Sequence, residues 1–140
     1  LGRDVVAEMA ALPETHRDGD TLYGHGSPAS DERSFLPEAD DDEPELLEGA
    51  EAELVVFGHT HLAFARESES GTRLVNPGSV GMPFDGDPRA AYAVMGDDGQ
   101  VEHRRVAYDH AASAAAVRGA LGPAGEVPAA RIERASSQVG

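Results

Sequence analysis

The alternation of apolar and polar positions divides the chain into short segments. Leu1, Val5, Met9 and Leu12 recur at helical spacing and Pro13 ends the pattern, which predicts an amphipathic helix. Asp18-Gly19, set between residues 15–17 and 20–23, is a short-range hairpin signal, and the second arm runs into Gly24-His25-Gly26. Residues 29–43 read as an exposed loop, because the acidic run from Glu38 to Glu43, broken only by Ala39, has the composition of a solvated face. Pro44 suits the first position of a brief helix that carries Leu46 and Leu47 to Ala50. Leu54-Val55-Val56-Phe57 is an uninterrupted apolar run stopped by Gly58, the pattern of a short buried strand. Residues 63–67 and 72–76 flank a Ser/Gly turn, and residues 91–95 and 100–108 flank Gly96-Asp97-Asp98-Gly99, which predicts two further hairpins. Asp109 can cap an alanine-rich helix to about Leu121. Beyond Gly122, glycine, proline, alanine and charge replace core residues, so one domain is expected over 1–121 and a disordered tail over 122–140. Short strands with helices at both ends make the class α/β (α+β).

Composition changes this picture in three ways. The chain has 26 acids and 11 bases, every base is arginine, and the net charge is -15. Self-repulsion of that size is relieved by salt, which screens exposed charges within about 10 Å at 0.1 M and about 3 Å at 1 M, so the balance suggests a protein adapted to concentrated salt. Nonspecific nucleic-acid binding is disfavoured, because no basic stripe meets the phosphates. With no cysteine, disulfides, thiolate sites and cysteine nucleophiles are excluded, and any metal must be held by nitrogen and oxygen. No apolar run approaches the roughly 18 residues of a membrane span, and no signal peptide is visible; a cytoplasmic protein is expected.

The candidate chemistry lies at strand ends. The buried run 54–57 delivers His59 and His61 just past a glycine, and a second short strand delivers His25 into another glycine-flanked turn. Neutral imidazole is the commonest protein ligand for zinc, manganese, iron and nickel. Loops at one end of a sheet converge in layered folds, so His25, His59 and His61 are expected to meet. The other histidines carry less: His16 sits on a hairpin arm, His103 on an alternating strand as a surface or packing residue, and His110 in the first turn of a helix.

Tyr23-Gly24-His25-Gly26, Val56-Phe57-Gly58-His59-Thr60-His61, Leu74-Val75-Asn76-Pro77-Gly78-Ser79-Val80-Gly81 and Asp85-Gly86-Asp87-Pro88-Arg89-Ala90-Ala91-Tyr92 together resemble the C-terminal half of a calcineurin-like metallophosphoesterase, in its small prokaryotic phosphodiesterase branch. The resemblance covers residues 1–108. It implies part of a two-sheet β-sandwich flanked by helices and a site for two divalent ions, manganese foremost, with iron, zinc, cobalt or nickel also suited. It further implies that His25 and His59 ligate one ion and His61 the other, that Asn76 and Ser79 stand in a wall near the substrate, and that the substrate is a small phosphoester or nucleotide. The family's earlier motifs, Asp-x-His and Gly-Asn-His-Asp/Glu among them, do not occur in these residues. They supply the bridging carboxylate and a histidine near the leaving group, so no catalytic side chain is assigned here. The chain reads as a fragment that is inactive alone and binds metal weakly. Its truncated sheet is expected to leave residues 54–57 as an association hazard, with oligomers open as an outcome.

Two other readings stand beside this one. A non-catalytic relative would use the same scaffold for binding, although nothing structural requires His-x-His. A mononuclear zinc hydrolase of the metallo-β-lactamase type would follow His-x-His with Asp-His, whereas Leu62-Ala63 follows here.

Overall fold

The computed structural model describes residues 2–139. In chain order the elements are α1 (Arg3–Ala10), β1 (Thr15–Asp18), β2 (Thr21–Gly24), α2 (Glu43–Leu46), β3 (Leu54–Val56), β4 (Ala63–Glu67), β5 (Arg73–Pro77), β6 (Ala90–Met95), β7 (Val101–Val106), α3 (His110–Leu121), a 3-10 turn (Gly122–Gly125) and α4 (Glu126–Arg134). The first five strands form one sheet in the order β1-β2-β3-β5-β4, and β6 and β7 form a second, two-stranded sheet. This mixed α/β arrangement of two sheets flanked by helices has the architecture expected from the motifs.

The decisive feature is that β2, β3 and β5 are parallel, with Leu22 opposite Val55 and Val55 opposite Leu74. Parallel neighbours end at the same edge of a sheet, so the turns after all three strands lie side by side. A central parallel strand is covered on both faces, which explains why β3 is apolar without alternation. Leu22, Phe35, Leu46, Val55, Phe57 and Leu74 form the main core. Each such side chain contributes about 1.5–3 kcal/mol on burial. Phe57 meets Phe35 and Phe64 edge-on, with ring centroids 5.0 and 5.6 Å away.

The structure corrects several expectations. Residues 54–57 are not an exposed edge: β3 is paired on both sides, and Leu54, Val55 and Phe57 are buried. Asp18 pairs with Thr21, so the first hairpin turns on Gly19-Asp20, one residue later than the sequence suggested, with Gly19 supplying φ of 56°. The loop 29–43 is pinned by buried Phe35, and Glu43 at its end is only 5% exposed, ion-paired to Arg66. Composition missed both residues because a lone anchor in a polar run has no periodicity. The α1 helix forms as expected, yet none of its described residues is buried.

The tail expected to be disordered carries α4 instead. Ala129 and Ile132, one turn apart, pack on Ala114 of α3, and Arg118 of α3 bridges Glu126 and Glu133. Small residues made the segment look unstructured, and they are what lets the two helices approach. A Cβ on Gly125 would lie 2.7 Å from the Val117 carbonyl. Asp109 does cap α3, accepting from Ala112 N at 2.9 Å.

Candidate metal centre

His25 and His59 come from turns that follow parallel neighbours, and the backbone binds the turns together. Gly58 N donates to the His25 carbonyl at 2.8 Å, and Phe57 N donates to the Val75 carbonyl at 3.0 Å, prolonging the sheet pairing. The turn at residue 26 is packed so closely that a Cβ would meet three backbone oxygens at 2.7–2.8 Å. Glycine is required there for space.

The result is a facing pair of imidazoles: His25 Nε2 and His59 Nδ1 are 3.2 Å apart, with the rings nearly perpendicular. Two nitrogens that ligate one ion at about 2.0–2.1 Å in tetrahedral geometry are separated by about 3.3 Å. The pair therefore has the span of two ligands on one cation, and both rings are exposed.

His61 is held differently. Its Nδ1 lies 2.7 Å from the Met82 carbonyl. A carbonyl can only accept, so Nδ1 carries a proton, and in the neutral ring the lone pair then lies on Nε2, the tautomer a metal ligand needs. Phe84 stacks on the ring with centroids 4.8 Å apart, and Phe84 N donates to the His61 carbonyl at 3.1 Å. The structure thus brings His25 and His59 into contact and places His61 two residues on against its own partners. Among the described residues no three His, Asp or Glu side chains gather closely enough to complete a ligand set.

Both His59 and His61 adopt left-handed backbone, with φ of 65° and 59°. Such conformations cost about 1–2 kcal/mol per non-glycine residue, and they persist where surrounding contacts enforce them. Asn76 is the enforcing residue. It is 0% exposed. Its Nδ2 donates to the Gly58 carbonyl at 2.8 Å and to Thr60 Oγ1 at 2.9 Å, and its Oδ1 accepts from Gly78 N at 2.9 Å. Its own carbonyl accepts from His103 Nε2 at 2.8 Å, so His103 packs β7 against the end of β5. The resemblance placed Asn76 in a substrate wall. Every polar atom of its side chain is engaged inside the protein, and it fixes the turn that carries the histidines. Ser79 Oγ accepts from Met82 N at 3.0 Å and so shapes the segment that holds His61. Sequence reasoning had no route to the parts played by Met82 and Phe84, since neither residue type signals chemistry.

A cavity of about 310 Å³ opens beside His59 and Thr60, walled by Glu32, Arg33, Phe35 and Asp42 among others. Arg33 is tied to Asp42 at 2.9 Å and Glu45 at 2.8 Å, and these carboxylates, Glu45 first, hold its pKa above the ordinary range. It therefore presents little free positive charge, and the wall is acidic. A larger cavity of about 550 Å³, between α2 and the β4–β5 turn, contains no histidine. No helix among the described residues is long and apolar enough to cross a membrane.

Known proteins resemble this chain in sequence and in fold. The uncharacterized protein MJ0912 of Methanocaldococcus jannaschii is 33% identical over 72 residues, covering 41% of this chain and 30% of that protein. The crystal structure of a metallophosphoesterase from Sphaerobacter thermophilus superposes with a TM-score of 0.74 at 28% identity, over 96% of this chain and 64% of the other. That of hypothetical protein PH1004 from Pyrococcus horikoshii superposes with a TM-score of 0.73 over 89% of this chain and 53% of the other; at 19% identity it bears on the fold alone. The chain thus spans less than two thirds of the length of each of these proteins. The model of the calcineurin-like phosphoesterase superfamily domain matches residues 11–99, a stretch that holds the histidine pair, His61 and the Asn76 clamp, and the chain belongs to that superfamily.

Proposed function

We propose that this chain carries part of the site of a metal-dependent phosphoester hydrolase, in which His25 and His59 hold one divalent ion and His61 Nε2 holds another. The observation that carries the reading is the 3.2 Å approach of the His25 and His59 nitrogens across turns from separate strands. Divalent ions bound there would offset charge on the phosphoryl oxygens and supply an ionised water near neutral pH. The chain's own part is positional. Asn76 sets the histidine turn, Met82 sets the His61 tautomer, and Phe84 holds that ring in plane. Because the cavity wall is acidic and the net charge is -15, the site repels an anionic ester until cations are present. Substrates of this reading are small phosphodiesters or phosphomonoesters.

With three imidazoles and, among the described residues, no carboxylate close enough to join them, these 140 residues alone should bind manganese weakly and hydrolyse nothing. Calorimetric titration with manganese tests this. One weak site that disappears in His59→Ala is expected. Two tight sites, or binding indifferent to His59→Ala, would contradict it. A second reading, a non-catalytic binding relative, is favoured by the absence of a third nearby ligand among the described residues. It gains if a protein of the relatives' full length binds manganese through His59 yet leaves bis(4-nitrophenyl) phosphate intact.

A further inference from the structure

We propose that Arg131, on α4, is a phosphate-binding residue contributed to the His61 side of the site by a helix outside the segment matched to the superfamily. The proposal rests on the phosphoester reading above and names one residue that recognises its substrate.

The argument starts from charge pairing. With 26 acids for 11 arginines, a guanidinium shielded from water should readily find a carboxylate. Arg66 is paired to Glu43, Arg105 to Asp85, and Arg118 to Glu126 and Glu133. Arg73, also partly buried, donates to the Gly99 carbonyl at 2.9 Å. Arg131 differs from all of these. It is partly buried, its Nε is buried without an acceptor, and among the described residues no carboxylate lies within ion-pair distance of it. A buried donor left unsatisfied costs free energy and calls for a partner, either an ordered water or an incoming ligand.

Its surroundings say where such an acceptor would sit. The Arg131 guanidinium carbon lies over the Phe84 ring, 5.8 Å from the centroid. The same ring is stacked on His61 at 4.8 Å. Arg131 is thus one aromatic ring removed from a proposed metal ligand. The backbone holds α4 to this side of the protein, with Gly86 N donating to the Ala135 carbonyl at 3.0 Å and Ala129 and Ile132 packed on α3. The cation–π contact restrains the guanidinium plane while leaving the Nη groups, beyond the buried Nε, to bond. A planar fork of N–H donors matches two oxygens of a phosphate, which a point charge such as lysine does less well.

The test titrates the 140-residue chain, without added metal, with inorganic phosphate and follows the Arg131 Nε–H and Phe84 amide signals by NMR. Phosphate should shift both. Arg131→Met keeps the apolar stem on Phe84 and should weaken phosphate binding about tenfold or more, with Arg131→Lys intermediate. Unmoved signals of Ala114 and Ala129 verify that α4 stays docked, and if methionine loosens it, the comparison of Arg131→Lys with wild type decides the question. Phosphate that leaves Arg131 and Phe84 unshifted, or binds equally in wild type and both variants, overturns the proposal. Manganese binding distinguishes it from the broader reading. A loss confined to phosphate, with manganese affinity retained in Arg131→Met, supports the role given to Arg131. Equal phosphate binding with manganese still held by His59 sinks Arg131 alone.

Discussion

Asn76→Ala is the most informative single change, because it removes the clamp without touching a proposed ligand. The side chain is wholly buried and makes three hydrogen bonds. Their losses are unequal. The Gly58 carbonyl keeps a second donor, Thr60 N at 2.8 Å, and the Thr60 hydroxyl can rotate, so those two bonds are worth about 1 kcal/mol each. Gly78 N loses its acceptor in a partly buried turn and bears a desolvation penalty of about 1–3 kcal/mol. The expected destabilisation is therefore about 3–5 kcal/mol, a large share of the roughly 5–15 kcal/mol that holds a domain together. The released turn should also let the left-handed His59 and His61 relax. Asn76→Asp sharpens the test, since it keeps an acceptor for Gly78 N but sets a carboxylate oxygen against the Gly58 carbonyl. It should disturb the histidine turn more than the fold. Urea denaturation measures the first effect, and the ring proton shifts of His59 and His61 measure the second. Stability within about 0.5 kcal/mol of wild type, with both rings unshifted, would refute the account of Asn76.

Three further outcomes follow from the same geometry. Gly78 has φ of 86°, and a Cβ there would lie 2.8 Å from Ala91 Cβ and 3.0 Å from Ala63 Cβ, so Gly78→Ala should cost at least about 2 kcal/mol; an unchanged thermal midpoint would contradict this. Arg66→Met leaves the Glu43 carboxylate buried without its cation and should cost about 3–5 kcal/mol, most of it recovered in the double variant Glu43→Leu/Arg66→Met; urea midpoints that fail to recover would argue against an uncompensated charge as the cause. Asp87 is held at a pKa of about 2, below its ordinary 3.8, first by the Arg89 side chain and then by Arg89 N. Because the folded value is the lower one, the stabilisation is full above the ordinary value and is lost as pH falls toward about 2. Carboxyl-carbon NMR of Asp87 should show this, and a midpoint near 3.8 would count against the contact.

Much of the site was legible in the sequence because its signals are local. A glycine after an apolar run, a histidine two residues after another, Asp-Gly between two short arms and an aspartate before alanines each act within a few residues. They fix strand ends, turns and caps regardless of what lies across the protein. That His25 and His59, 34 positions apart, should touch is a different kind of fact. It follows from the parallel pairing of β2 with β3, which no spacing encodes and only the shared core decides. The same holds wherever a side chain's role depends on its neighbours in space. Glu43 looked like one more solvated acid until Arg66 of another strand reached it. Asn76 gave no sign of a clamp until burial turned its amide inward. The segment after Gly122 looked like a tail because small residues bury little area by themselves; against α3 that smallness becomes close packing. Hydrogen bonds and periodicity within one segment are written along the chain, whereas burial, ion pairing and the facing of two rings arise only when distant segments exclude water between them.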